Sequence, residues 1–232
     1  MIETVPETGS TNADLAARLR AKEALPEGYW LIADRQTGGR GRQGRAWQGG
    51  AGNLMGSTLV RIGEGDPPAQ TLAFVAGLAV IEALRPHCDG LRLKWPNDVL
   101  LGGGKLAGIL LEAEGDAVIV GIGANLAAAP AIADRPTACL PQPVARDVFA
   151  EQLARCFAEQ LARWRAYGVE PLLVRWSAAA HPLGEMLTVH EPGGRLLSGT
   201  FGGLAPDGAL LLRLADGSVS AIHAGDVTIE GQ

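Results

Sequence analysis

Apolar residues recur along this chain with two different periods, and the changes of period divide it into elements. In Ala13-Asp14-Leu15-Ala16-Ala17-Arg18-Leu19-Arg20 the alanines and leucines favour helix. Ser10 or Thr11 stands where a cap would take the helix's free N–H groups. The same helix start also suits a ligand contact, because it presents donors. Pro26-Glu27-Gly28 breaks the chain before Tyr29-Trp30-Leu31-Ile32-Ala33, an apolar run that reads as a buried strand over 29–34. Asn53 to Val60 alternates in part and reads as another strand. Residues 70–84 are apolar all round, the pattern of a well-buried helix. Leu91 to Trp95 alternates as a strand, and Pro96-Asn97-Asp98 is a turn. Residues 99–101 and 105–111 flank three glycines as a hairpin. Ala117 to Ile122 continues the sheet and runs into Gly123-Ala124-Asn125. Residues 127–145, rich in alanine and proline, read as a surface loop. Val148, Phe149, Leu153, Cys156, Phe157, Leu161 and Trp164 recur at helical spacing over 146–166. A shorter helix over about 170–179 ends at His181-Pro182.

From Met186 short apolar runs alternate with turns at Gly193-Gly194, Asp207-Gly208 and Asp216-Gly217. That spacing suggests a small all-β barrel of about five strands. The expected division is residues 1–181 and residues 182–232.

Composition narrows the chemistry. Hydrophobic residues make up 47% of 232, enough for a substantial core, and the net charge is −5. An acidic chain argues against a nucleic-acid binder, since phosphate attraction dominates such binding. Cys88, Cys139 and Cys156 are widely spaced, and His87, His181, His190 and His223 are scattered. Neither set suggests a disulfide framework or a metal site, and a reducing, cytoplasmic setting is expected. No signal-peptide pattern opens the chain, and its best apolar stretch, Leu72 to Leu84, is too short to span a bilayer.

Against this acidic background one loop is cationic. Gln36-Thr37-Gly38-Gly39-Arg40-Gly41-Arg42-Gln43-Gly44-Arg45-Ala46-Trp47 leaves the 29–34 strand carrying four glycines and three arginines. Glycine lets backbone approach a ligand, arginine forks match carboxylate and phosphate oxygens, and tryptophan offers a flat surface. The loop reads as an anion site; a solvated turn has the same composition. Lys105, beside a glycine turn, can aim an ammonium at such an anion. Asp98 can close an Asx turn or orient an amine nucleophile.

Together these stretches resemble the biotin–protein ligases. The matching pieces, in family order, are Ser10-Thr11-Asn12, Gln36 with Gly39 to Arg45 and Trp47, Asn53-Leu54, Lys94-Trp95-Pro96-Asn97-Asp98, Lys105 to Leu110, and Gly121 to Asn125. Ala124 departs mildly, since the family usually has a larger apolar residue before the asparagine. The resemblance implies an α+β fold: a mixed sheet flanked by helices, like that of class II aminoacyl-tRNA synthetases, followed by an SH3-like barrel. It implies activation of biotin by MgATP to biotinyl-5′-AMP, then transfer to a lysine of a biotin carrier protein. The magnesium is expected to ride on the ATP phosphates, with no protein metal site.

The resemblance also assigns residues. Arg40, Arg42, Lys105 and Asp98 are the catalytic candidates. Ser10, Thr11, Asn12, Gln36, Gly39 and Gly108, with Arg40, Arg42 and Lys105, are expected at biotin. Arg42, Arg45, Trp47, Asn53, Lys105 and Asn125 are expected at the nucleotide. A lipoate ligase shares the chemistry but not the arginine loop or the Lys94–Asp98 motif; a non-catalytic nucleotide- or RNA-binding module is the rival from another class. Nine residues precede Ser10, too few for the DNA-binding domain that some members carry, so no nucleic-acid partner is expected. A homodimer stays open.

Overall fold

A computed structural model describes residues 1–133 and 135–229. The elements are β1 (Ile2–Thr8), α1 (Thr11–Arg20), β2 (Trp30–Gln36), β3 (Leu54–Arg61), α2 (Leu72–Leu84), β4 (Leu91–Lys94), β5 (Asp98–Leu101), β6 (Gly104–Glu114), β7 (Ala117–Ala124), α3 (Arg146–Tyr167) and α4 (Val169–Ala179). Five short strands follow: β8 (Met186–His190), β9 (Leu196–Leu204), β10 (Leu210–Arg213), β11 (Val219–Ile222) and β12 (Asp226–Ile229).

The first seven strands form one sheet in the order β1-β2-β3-β7-β6-β5-β4. The β1–β2 pair is parallel and the other neighbours are antiparallel, so the sheet is mixed. Side chains alternate across it with period two. Leu31, Leu59 and Ile119 face α1 and pack with Leu15 and Tyr29. Trp30, Val60, Val120 and Ile122 face the other way, into the core beneath α2 and α3. Helix α2 is apolar all round because it lies between the sheet and the α3–α4 layer, with 11 of its residues buried. Trp164 Nε1, buried with it, donates to Thr71 Oγ1 at 2.8 Å. Among the described residues no helix is long and apolar enough to cross a membrane.

The remaining strands make a separate antiparallel sheet, ordered β11-β10-β9-β8-β12, with the five strands expected. Trp95 Nε1 donates to Gly208 O at 3.1 Å and so ties this sheet to the β4–β5 turn. The expected end of the second domain, residue 232, lies outside the described residues.

The link between the two sheets holds a buried histidine. His181 is 3% exposed, and its Nδ1 lies 3.0 Å from Glu185 Oε2, off the hydrogen-bonding direction. Burial pushes its pKa below the ordinary value; Glu185 opposes this, and Lys94 and Arg92 add to it. The unfolded chain therefore takes up this proton more readily than the folded one. The stability contributed by neutral His181 is present above about pH 6.5 and falls as the pH drops below it. Urea midpoints are expected to decline less between about pH 7.5 and 5.5 in His181→Asn than in the parent protein. Equal declines would show that His181 is not the titrating group.

Candidate active site

The cavity lies on the α1 face, where the strands run out of large side chains. Along β7 this face reads Ile119, Gly121, Gly123, and along β3 it reads Leu59, Ser57, Met55. Register aligns Ser57, Gly121 and Leu110 in one row, and Met55, Gly123 and Gly108 in the next. A Cβ on Gly121 would overlap Asn12 Oδ1, and one on Gly123 would overlap the Trp47 indole. At the glycines the floor is therefore bare backbone, under a cavity of about 390 Å³.

One end of this cavity is neutral. Ser10 caps α1, its Oγ accepting from Ala13 N at 3.5 Å. The next amide, Thr11 N, donates to Gln36 Oε1 at 2.7 Å, which leaves Gln36 Nε2 as a donor. Thr11 Oγ1 lies 2.6 Å from Ser57 Oγ, Ser57 donates to Asn12 Oδ1 at 2.6 Å, and Asn12 Nδ2 donates to Glu112 Oε2 at 2.7 Å. This network fixes the polar wall before a ligand arrives.

The other end is cationic. Residues 36–47 fold back on themselves: Arg40 bridges Ala46, Gly41 N donates to Arg45 O at 2.7 Å, and Trp47 N donates to Gly39 O at 2.9 Å. Gln43 (φ 57°) and Gly44 (φ 72°) make the tight reversal. Arg42 donates to Asn97 Oδ1 at 3.3 Å and to Gly225 O at 3.4 Å, while Arg45 pairs with Asp226. The second sheet thus holds the arginine loop against the site. Burial lowers the Arg42 pKa, opposed by Asp226 and Asp98, with Arg45 acting in the same direction as burial. The guanidinium stays charged, and a half-buried charge of this kind favours an anionic ligand.

Lys105 and Asp98 complete the cationic end. Lys105 Nζ lies 2.6 Å from Asp98 Oδ1 and 5.7 Å from the centroid of Trp47, whose buried Nε1 finds no acceptor among the described residues. Lys94 Nζ is 3.9 Å from Asp98 Oδ2. Burial lowers the Lys94 pKa, and Asp98 is the main opposing charge. One carboxylate therefore lies between two ammonium groups.

Twelve of the residues singled out from the sequence line this cavity: Ser10, Thr11, Asn12, Gln36, Arg40, Arg42, Arg45, Trp47, Asp98, Lys105, Gly108 and Asn125. Gly39 and Asn53 are not part of its lining. Gly39 is buried within the loop, where a Cβ would meet Trp47 O at 2.9 Å and Gln36 Nε2 at 3.0 Å. Asn53 is also buried, and its amide is engaged by the protein. Its Oδ1 accepts from Ala127 N at 3.0 Å and Ala128 N at 3.1 Å, and its Nδ2 donates to Ala128 O at 2.7 Å. It therefore holds the chain after β7. Asn125 supports the same segment, with Nδ2 donating to Ala138 O at 3.1 Å. Asn97, from the Lys94–Asp98 motif, also lines the cavity, as do Ser57, Arg135 and Asp226, which no motif singled out.

Comparison with known proteins places this cavity in a family. Residues 6–125 match the model of the biotin/lipoate A/B protein ligase family, and residues 183–229 match that of the biotin protein ligase C-terminal domain. The chain belongs to the biotin/lipoate A/B protein ligase family. A family relative from Paracoccus denitrificans, a biotin–[acetyl-CoA-carboxylase] ligase, is 42% identical over 89% of this chain and 91% of its own. A biotin–[acetyl-CoA-carboxylase] ligase from Mycobacterium tuberculosis is 38% identical over 97% and 88%. The solved biotin protein ligase from Aquifex aeolicus in complex with biotin and ATP superposes with a TM-score of 0.85. It is 26% identical, covering 99% of this chain and 98% of that one. The neutral and cationic ends described above lie on the first matched segment, and the contacts from Gly225 and Asp226 lie on the second.

Proposed function

We infer that this chain is a biotin–protein ligase: it condenses biotin with MgATP to biotinyl-5′-AMP and transfers the biotinyl group to a lysine of a biotin carrier protein. One observation carries the reading. A neutral hydrogen-bonding wall and a cationic corner share one cavity, and biotin joins a neutral ureido ring to a carboxylate tail. The Ser10–Thr11–Gln36 wall supplies both donors and acceptors for the ring. A lipoyl dithiolane has no hydrogen-bonding groups to match that wall, which favours biotin over lipoate.

In the first step a biotin carboxylate oxygen attacks the α-phosphorus, the bond to the bridging oxygen breaks, and pyrophosphate leaves with that electron pair. Carboxylate and triphosphate repel, so Arg40, Arg42 and Lys105 act by screening both and stabilising the transition-state charge. Trp47, with Asn125 nearby, provides the surface for adenine. Among the described residues, the carboxylates lining the cavity are Asp98 and Asp226, and each faces a cation of the protein. The donor set therefore suits magnesium that arrives on the ATP phosphates better than a protein cage for it. Bound there, magnesium supplies further neutralisation of the triphosphate. In the second step the carrier's lysine attacks the anhydride carbonyl and AMP leaves. Positioning and electrostatics suffice, without a covalent enzyme intermediate. The ATP supply and the carrier suit a cytoplasmic setting, and the chemistry uses no nucleic acid. Residues 1–181 carry the chemistry in this reading, and the unit from residue 182 supports the arginine loop.

Purified protein is expected to exchange pyrophosphate into ATP only when biotin is present, and to add biotin to a carrier domain's lysine, seen by mass. Exchange supported by lipoate instead, or by neither acid, would overturn the reading.

A further inference from the structure

One wall of the cavity comes from the segment after β7, which the sequence presents as a surface loop. In the fold it is a strap tied to Lys105 through backbone. Lys105 N donates to Pro136 O at 2.8 Å, Ala138 N donates to Lys105 O at 3.0 Å, and Thr137 pairs with Lys105 in a parallel bridge. Thr137 Oγ1 closes the strap on itself, donating to Pro130 O at 2.6 Å. A Cβ on Gly104 would meet Thr137 O at 2.8 Å, so the approach depends on that glycine. Arg135 leaves the strap one residue before Pro136 and lines the cavity. Its charge is close enough to Lys94 to act on that ammonium.

The reaction needs a cation there. Pyrophosphate leaves carrying several negative charges, and the arginine loop has limited means to hold it. Arg45 is paired with Asp226, and Lys105, Arg42 and Arg40 are committed to the reacting carboxylate and α-phosphate in the reading above. Arg135 enters from a different wall, on backbone fixed beside Lys105. A guanidinium fork suits adjacent phosphate groups, since it can donate to oxygens of both at once.

We propose that Arg135 binds the β- and γ-phosphates of ATP and holds the departing pyrophosphate. This rests on the ligase reading. As the α-phosphorus–oxygen bond breaks, the electron pair passes to the bridging oxygen of pyrophosphate, and Arg135 donates hydrogen bonds to that group without proton transfer. Its contribution is confined to the first step, because pyrophosphate is absent from the second.

The test separates the half-reactions. In biotin-dependent exchange, Arg135→Ala is expected to raise KM for ATP and for inorganic pyrophosphate about 10- to 100-fold, with KM for biotin unchanged. Arg135→Lys restores part of the loss, keeping the charge without the fork. Transfer from preformed biotinyl-adenylate to a carrier domain proceeds at the parent rate in both variants. Parental KM values for ATP and pyrophosphate in Arg135→Ala would overturn the proposal. So would an equal loss in the transfer step, which would make Arg135 a structural part of the strap. A parent protein with no biotin-dependent exchange would overturn the ligase reading, and this proposal with it.

Discussion

Lys105→Ala is expected to lower the rate of biotinyl-adenylate formation about 100-fold or more while the protein stays folded. Lys105 is the ammonium over the glycine floor, 2.6 Å from Asp98 and beside Trp47. On ligand binding it is expected to turn from Asp98 to the charge developing between biotin and the α-phosphate, an interaction stronger in the transition state than in the ground state. Its removal therefore affects the chemical step. The cost to folding is small by comparison. Lys105 is 35% exposed, and a partly exposed ion pair contributes about 1 kcal/mol or less. The measurement is single-turnover adenylate formation at saturating biotin and ATP, with a urea melt on the same sample. A folded variant that forms adenylate at the parent rate would remove Lys105 from the mechanism.

Much of this arrangement is legible in the sequence because the motifs place several functional groups on short spans of strand. The Lys94–Asp98 stretch is a strand end and a turn, so the register Lys94↔Asp98 follows almost directly. Helix α2 announces itself as a run apolar on every side and α3 through its periodicity, and α3 runs over Arg146–Tyr167, one residue beyond the expected 166.

What escaped the sequence did so for physical reasons. Strand β1 was not foreseen because it is an edge strand exposed on both faces, so Ile2 to Thr8 shows no alternation. It also contains Pro6, which an edge tolerates. The composition of the strap reads as a surface loop because its role rests on backbone hydrogen bonds, to which composition is blind. Asp226 reaches Arg45 across 181 residues of sequence from a different sheet, a pairing no local motif encodes. Asn53 illustrates the opposite case. Its motif position pointed toward the nucleotide, whereas the fold engages its amide in holding Ala127 and Ala128.

Asp98→Asn is expected to slow the second step more than the first. The acceptor lysine is an ammonium at neutral pH and must lose a proton before it attacks. Asp98 is 14% exposed and held between Lys94 and Lys105, so in the empty site its charge is already engaged. When the adenylate phosphate draws Lys105 away, Asp98 retains only the more distant Lys94, at 3.9 Å, and an incoming ammonium can take the vacated place. The carboxylate then holds the amine against the anhydride and helps to remove its proton. The turn's side-chain bond comes from Asn97, whose Nδ2 donates to Ile109 O at 2.6 Å, so an asparagine at 98 leaves that bond in place and removes only the charge. Supplied with preformed biotinyl-adenylate and a carrier domain, the variant is expected to transfer about 100-fold more slowly near pH 7. The deficit should shrink toward about pH 10, where lysine deprotonates unaided. A flat, pH-independent deficit would indicate a misplaced turn, and a parental rate throughout would make Asp98 purely structural. A rate that recovers with rising pH is the signature of a carboxylate acting on the amine, because only then does free base in solution replace what the substitution removed.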